Sequence, residues 1–552
     1  MQETERDIHA SHGNLAWIST ELGVRGGSHP PPRRERHRYG AASCLVSLTG
    51  TVHVSVRDPG RRALLYGAPA VAAGSVLLAG SRVDAAVAVA GAASPKDYGA
   101  VGNGVVDDTA AVQACLNANR VIDFGGPENT YLITTSLKVD KTATQVLIGN
   151  GASIKAGALT DMMEFYYAGH SVSGVVFDGN NQGRGVAIRI RGSAAGSSVD
   201  ECAFVNVAGS GVVVEYGANR VRITNCRFRR CGHGTAIPEG QANLRNSVLV
   251  AADHCSVLDN ELLECMWGVY FRAENDTGIS FYTCRGNTIT CLSDTLAGSQ
   301  GISNRLGRNS RIQDNTIVGF NDNSIDCWGC NNMTITGNIT SGGKDGVFIG
   351  DVNSSSITIA GNVFRAPQRG VRVVTAGTVY TNQLVIGVTV TGNTVSNPSI
   401  GGIYVGETTS NQLSGVTIAD NDLHIARAGD YGIHVVNAEC SRIAGNRIYR
   451  AKKHGIVLTG TDIVEVSNNM IQDASQAEAG TTTPAQSDGI NVDGSNRALI
   501  RNNTIYGGAR YAVNITGGTG MTVTGNRWRS TSAGLNIGSG TASPILSENV
   551  AI

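Results

Sequence analysis

The sequence predicts an all-β solenoid, a parallel β-helix wound from one chain, and three observations predict it. The first is a recurring asparagine: Asn260, Asn287, Asn315, Asn338, Asn362, Asn393, Asn421, Asn446, Asn469, Asn503, Asn526 and Asn549 follow one another at intervals of 23 to 34 residues. A fixed minimum period with variable insertions is how stacked repeats read. The second is alternation of apolar and polar residues at period two inside each interval, with nothing at helical spacing. The third is composition. With 71 glycines in 552 residues and 41% hydrophobic content, the chain turns often and still fills a long core.

One interval shows the circuit. In GVFIGDVNSSSITIAGNVFRAPQRGVRV, residues 346–373, Gly346 opens a short strand carrying Val347 and Ile349. A polar turn leads to a second strand with Ile357 and Ile359. Gly361 and Asn362 form a turn before a third strand with Val363 and Phe364, and Gly370 opens the next circuit. Equivalent strands of successive circuits then stack in parallel at about 4.8 Å per coil. The asparagine is expected at a tight turn in left-handed backbone, its side chain bonding the same residue one coil away. Cys202 in VDECAF and Cys226 in ITNCRF take the same slot ahead of the first asparagine.

Three stretches frame the coils. Residues 1–60 have no sustained period, and their PPPRRERHR run reads as a linker, an arm or an over-extended reading frame. Residues 61–93 begin with Arg61-Arg62, continue through a mildly apolar segment and offer an Ala-x-Ala site ending at Ala90. This resembles a twin-arginine export signal, with an Ala-rich linker as the alternative. A secreted chain starting between Gly91 and Ser94 is expected. Residues 94–552 form the β-helix domain. No run of 18 strongly apolar residues predicts a membrane span, and a net charge of zero gives no global basic field for nucleic acid.

Twelve cysteines suit an oxidising compartment, but their placement does not form a disulfide framework. Cys255, Cys284 and Cys327 fall on inward, core-filling positions. Cys202 and Cys226 could bridge as stacked neighbours. Cys327 and Cys330 have metal-site spacing without a second pair, and read as core plus turn.

Residues 95–118, PKDYGAVGNGVVDDTAAVQACLNA, place Asp107 and Asp108 just ahead of a helix with an apolar stripe of Ala111, Val112, Cys115 and Leu116. Both carboxylates are expected to cap the helix, and the helix to cover the end of the core. This stretch, with the coils behind it, resembles the opening of the pectate lyase superfamily domain shared with rhamnogalacturonases, epimerases and phage tailspikes. The resemblance covers residues 95–552. It implies a right-handed coil, a substrate groove along the outer face of the first strands, and a polysaccharide as partner.

Laying those strands in register gives two outward columns. Two positions after the opening residue stand Ala187, Val213, Leu249, Tyr270, Ser303, Asp326, Phe348, Arg372, Tyr404, His434, Val457 and Asn491. Four positions after stand Arg189, Glu215, Ala251, Arg272, Arg305, Trp328, Gly350, Val374, Gly406, Val436, Thr459 and Asp493. The middle of the strip, from Glu215 to His434, collects aromatics and arginines that an outward face does not need for folding. Aromatic faces stack on sugar rings and arginine forks hold carboxylates, which points to an acidic glycan. Asp326 is the expected catalytic acid or base, with Trp328 and Phe348 raising its pKa by desolvation and Arg305 opposing them. Glu274, two coils earlier and roughly 10 Å along the stack, is a second carboxylate near the upper range for an inverting glycosidase pair. Asp351 lies one coil later.

A lyase needs other groups: Arg272 and Arg305 to neutralise a uronate carboxylate, and Tyr270, Tyr404 or His434 as base. Calcium enters as a cofactor only in that lyase reading, and no tight aspartate cluster for it is apparent. The long turn after Cys226 adds His233 and Glu239 as substrate-binding candidates. Neither the Asp-Pro-His-Glu element of mannuronan epimerases nor the paired Asp-Asp and His-Gly elements of polygalacturonases is present, so no family mechanism carries over. The expected function is a secreted, monomeric polysaccharide-cleaving enzyme, lyase or hydrolase. A tailspike-like depolymerase and a non-catalytic glycan-binding surface protein are the alternatives; the ladder runs to Asn549, which leaves no room for a trimer module.

Overall fold

Each interval of the repeat folds as three short strands separated by turns, as in Asp345–Gly350, Ser354–Ala360 and Val363–Arg365. The computed structural model describes residues 91–552 apart from 159–160, 182–184, 233–244, 273–277, 292–297, 351, 376–382, 407–411, 427–428, 475–486, 508, 530 and 532. These residues belong to a unit spanning Arg82–Ile552. The N-terminal extension, the export segment up to Ala90, His233, Glu239, Glu274 and Asp351 lie outside the described residues.

Equivalent strands of successive coils pair in parallel and build three long sheets, one of them 16-stranded from Leu137–Val139 to Ala533–Ile537. That sheet, formed by the first strand of each circuit, carries the candidate site. Inside, Val347, Ile349, Ile357, Ile359 and Phe364 are fully buried, as period-two alternation requires. Like side chains stack along the axis: Phe177, Phe204 and Phe228 lie with ring centroids 5.3 and 4.6 Å apart. All of this is the predicted parallel β-helix.

The asparagine column is an unbroken amide ladder from Asn260 to Asn549. The Asn338 amide N–H and Nδ2 both donate to Asn362 Oδ1, at 2.9 and 3.0 Å, and Asn362 repeats the pattern toward Asn393 Oδ1. Asn362 Nδ2 also donates to the Ile335 carbonyl at 3.0 Å. One detail differs from expectation. The left-handed residue is the one before the asparagine: Asp259 (φ 55°), Asp314 (φ 55°), Gly361 (φ 63°) and Asp420 (φ 56°). The asparagine aims its amide along the stack, so the turn's left-handed residue falls at the preceding position, which tolerates it as glycine, Asp or Asn.

The helix Thr109–Ala118, here α1, buries Val112, Cys115 and Leu116 against the first coils and closes that end of the core. Gln145 Nε2 donates to the Leu116 and Asn119 carbonyls at its C-terminal end, at 2.8 and 2.9 Å. The two aspartates divide their work. Asp107 Oδ1 accepts the Thr109 N–H at 3.0 Å, while the Asp108 carboxylate accepts from Val101 and Gly102 and so ties down the preceding loop. Among the described cysteines all but Cys440 are buried as free thiols, Cys327 and Cys330 included. No described helix is long and apolar enough to cross a membrane.

Candidate functional site

The strand register confirms both outward columns over the middle of the strip. Leu249, Tyr270, Ser303, Asp326, Phe348, Arg372, Tyr404 and His434 pair in sequence, and beside them Arg272, Arg305, Trp328 and Gly350. At its start the reading was one pleat out. Val213 pairs with Arg189, so Arg189 and not Ala187 heads the first column; Ala187 is core. Gly185 reads as the opening glycine in the sequence, whereas the register gives that position to Ala187.

Two clusters stand on this face. The first is a cleft of about 180 Å³ lined by Trp267, Tyr270, Gln300, Ser303, Arg305, Asp326 and Trp328, with Asn304 beneath. Asp326 forms its floor and is only 3% exposed. Gln300 Nε2 donates to its Oδ2 at 2.8 Å and Asn323 Nδ2 to its Oδ1 at 3.3 Å. Two amide donors hold the carboxylate in one orientation toward the cleft. Trp267 and Tyr270 make one wall, centroids 6.4 Å apart and nearly perpendicular, and the Trp267 indole N–H is anchored on the Gly298 carbonyl at 2.7 Å. Burial pushes the Tyr270 phenol up, while the Arg272 and Arg305 guanidiniums beside it pull the other way. Arg272 and Arg305 are direct neighbours across adjacent coils.

The second cluster begins one coil later. Asp345 is fully buried, with Arg369 at 3.4 Å and Arg372 at 3.7 Å from its two oxygens. Burial pushes its carboxyl up against the pull of both arginines. Arg369 Nε also donates to the Tyr431 hydroxyl at 3.3 Å, and its guanidinium lies 5.8 Å from the Tyr404 ring. Arg372 lies over Phe348 at 5.3 Å, and its Nε is buried without a hydrogen-bond partner. His434 meets Tyr404 and Tyr431 edge-on at 5.4 and 5.1 Å. Burial, helped by the nearby His454, brings the His434 pKa down to about 4. The imidazole is therefore neutral at physiological pH.

The cleft thus joins Asp326, Arg305, Tyr270 and Trp328, with Arg272 one coil before Arg305, while Phe348, Arg372, Tyr404 and His434 belong to the second cluster. Glu215 belongs to neither: it accepts from Arg191 at 2.9 Å and Arg189 at 3.4 Å in an ion network on earlier coils. Trp267, Gln300, Asp345, Arg369, Tyr431 and His454 were not singled out from the sequence. A signal for them exists, because each immediately precedes an opening glycine (Gly268, Gly301, Gly346, Gly370, Gly432, Gly455). A Cβ on Gly346 would lie 2.3 Å from the Phe364 ring. The glycine turns into the core, and the residue before it lies on the outer side.

A family model described as "Right handed beta helix region" matches residues 382–528, and one described as "Periplasmic copper-binding protein (NosD)" matches 242–387. No curated protein matches significantly. Among solved structures, a surface adhesin of Streptococcus pneumoniae, PfbA, is 17% identical with a TM-score of 0.44, over 68% of this chain and 91% of that one. The A-module of the Azotobacter vinelandii mannuronan C-5 epimerase AlgE4 is 15% identical (TM-score 0.38, 81% of this chain, 99% of that one). A tailspike protein of E. coli bacteriophage HK620 in complex with a pentasaccharide is 12% identical (TM-score 0.42, 83% and 78%). The fold is a parallel β-helix, and the family description that matches residues 382–528 is that of a right-handed one. Among the described residues no three His, Cys, Asp or Glu come together as a cage, and Cys255, Cys265, Cys284, Cys291, Cys327 and Cys330 are each buried in the core.

Proposed function

We propose that the chain is an exported β-helix that binds an acidic polysaccharide along its 16-stranded face and cleaves it in the Asp326 cleft. The observation that carries the reading is a nearly buried carboxylate, held by two amides, at the floor of a cleft walled by two tryptophans and a tyrosine. A sugar ring stacks on such walls, and Asp326 then lies within reach of a glycosidic oxygen or a water. Arg305 and Arg272, one coil apart, suit a carboxylate on the neighbouring sugar. In the second cluster one carboxylate faces two guanidiniums, a positive surplus that extends the preference for anionic glycans down the strip. Export rests on Arg61-Arg62 and the Ala-x-Ala site ending at Ala90, and N-terminal sequencing of the secreted protein tests it.

A lyase is the second reading, favoured by the Arg369–Tyr431 contact. Burial pushes the Tyr431 phenol up while the Arg369 guanidinium bonded to it pulls the other way, and in this reading Tyr431 or Tyr404 takes the proton beside a uronate that Arg372 neutralises. A panel of anionic and neutral polysaccharides separates the readings when followed by both ultraviolet absorbance of an unsaturated product and reducing ends. Hydrolysis raises only the second signal and elimination raises both. Unchanged cleavage by Asp326→Asn overturns the first reading. Binding without any product leaves a glycan-binding protein and overturns both.

A further inference from the structure

Cys202 and Cys226 are two rungs of the turn column that carry no amide. They occupy consecutive coils: Ala203 pairs with Arg227, whose N–H donates to the Cys202 carbonyl at 2.9 Å. A left-handed residue precedes each, Glu201 (φ 51°) and Asn225 (φ 54°), as it does the ladder asparagines. The two side chains therefore leave the turn in the same direction. Cys226 Sγ lies 3.6 Å from the Val199 carbonyl and Cys202 Sγ 3.8 Å from that of Val172, where an asparagine Nδ2 would sit. The Cys226 N–H joins the ladder by donating to Asn260 Oδ1 at 2.9 Å. Neighbours in a parallel ladder stand about 4.8 Å apart, inside the roughly 4.4–6.8 Å that a disulfide spans between Cα atoms. At the next rungs, side chains in this orientation bring Asn260 Nδ2 to 2.9 Å from Asn287 Oδ1. Outside the pair lies a cleft lined by Glu201, Ala203, Asn225, Arg227, Asp259 and Glu261 as well as the two cysteines.

We propose that Cys202 and Cys226 form a disulfide that staples two successive coils at the head of the asparagine ladder. One thiolate attacks an external disulfide that reaches it through the cleft, such as oxidised glutathione, and expels a glutathione thiolate. The second cysteine then attacks the mixed disulfide and expels the other glutathione. Two protein thiols lose two protons and two electrons, and the external disulfide becomes two thiols. The S–S bond takes the place of the amide bonds these two rungs lack, on the coils that precede the aromatic strip. Burial, the adjacent Cys202 thiol and the Asp200 charge push the Cys226 thiol up, so the thiolate is scarce at neutral pH. Cross-linking is accordingly slow at pH 7 and quickens as pH rises.

The full chain is incubated with oxidised glutathione, its free thiols are alkylated in denaturant without reductant, and the product is digested with trypsin. Cleavage at arginine puts the cysteines in separate peptides, 192–220 and 223–227. The expected result is one linked species, about 2 Da lighter than the sum of the two peptides, that disappears on reduction. Replacing both residues, Cys202→Asn with Cys226→Asn, extends the ladder, so the variant folds and its melting temperature ignores the glutathione redox state. The natural chain melts about 2–4 °C higher when oxidised. Full alkylation of both thiols after oxidation of the folded natural chain at up to about pH 9 overturns the proposal. So does a linkage joining Cys265 to Cys231 or Cys291 instead of this pair.

Discussion

The asparagine column and the outward columns of the 16-stranded sheet climb the same solenoid with the same rise, yet one repeats a single residue and the others change at almost every coil. The difference is one of satisfaction. A buried amide has two donors and an acceptor: in the ladder one donor goes to a backbone carbonyl, while the asparagines on either side take the other donor and supply the oxygen. The outward positions face a cleft or solvent, so the fold does not dictate them. Uniformity marks what the fold requires, and variation toward tryptophan, tyrosine, arginine and aspartate marks what it does not.

The largest expected effect breaks the uniform column. Asn362→Leu keeps shape but removes the acceptor for two Asn338 donors, which costs about 2–6 kcal/mol as two buried donors lose their partner. Denaturant unfolding measures it. Asn549→Leu, at the half-exposed last rung, costs under about 1 kcal/mol because water replaces the amide. Equal losses at both rungs would contradict the burial argument.

Substitutions on the varied columns should touch activity and spare stability. Asp326→Asn is expected to lower kcat/KM by about 10² or more with an unchanged melting temperature. Tyr431→Phe lowers it less than about 10-fold if the cleft carries the chemistry. The reverse order transfers catalysis to the second cluster. A smaller effect follows at Arg305: its change to alanine weakens binding of acidic glycans by about 10-fold, leaves neutral ones alone and spares the chemical step. Calorimetric titration with both glycan types reads it.

The smallest effect is a slope. His434 has a folded pKa of about 4, below its ordinary value of 6.5. Between these pH values the unfolded chain binds the extra proton, so this residue's contribution is fully present above about pH 6.5 and is lost as pH falls toward 4. His454 shifts the same way through burial, with Asp488 and Asp430 opposing. Asp345, with a raised carboxyl, works in the opposite direction on acidification. Melting curves at pH 7 and 4.5 should converge in His434→Gln relative to the unaltered chain, by a few degrees at most. A variant with an unchanged slope shows that other groups set it.

Along the chain, what could be read in advance divides by the range of the forces. Period-two alternation, the asparagine spacing and the motif at residues 95–118 are local patterns, and they determined the coil, its sheets, the ladder and the capping helix. Register along equal strands follows from the same count, so Tyr270, Arg305, Asp326, Trp328 and Tyr404 could be placed on one face without coordinates. The count slipped at Ala187, because Gly185 two residues earlier reads as the opening glycine of that strand.

Tertiary structure alone decided what each outward residue meets. Gln300 reaches Asp326 from the preceding coil and Asn323 from just ahead of the same strand, and Asp345 is sealed under Arg369 and Arg372. Glu215 is drawn away into an arginine network. Apart from Asn323, those partners lie a full coil away in sequence, and a long side chain on a pleated face can lean toward either neighbouring coil. The sequence by itself determined which column a residue occupies, because backbone periodicity is local. Only the packed structure decided its partner and its burial, because both depend on the shapes and charges of side chains one coil above and one below.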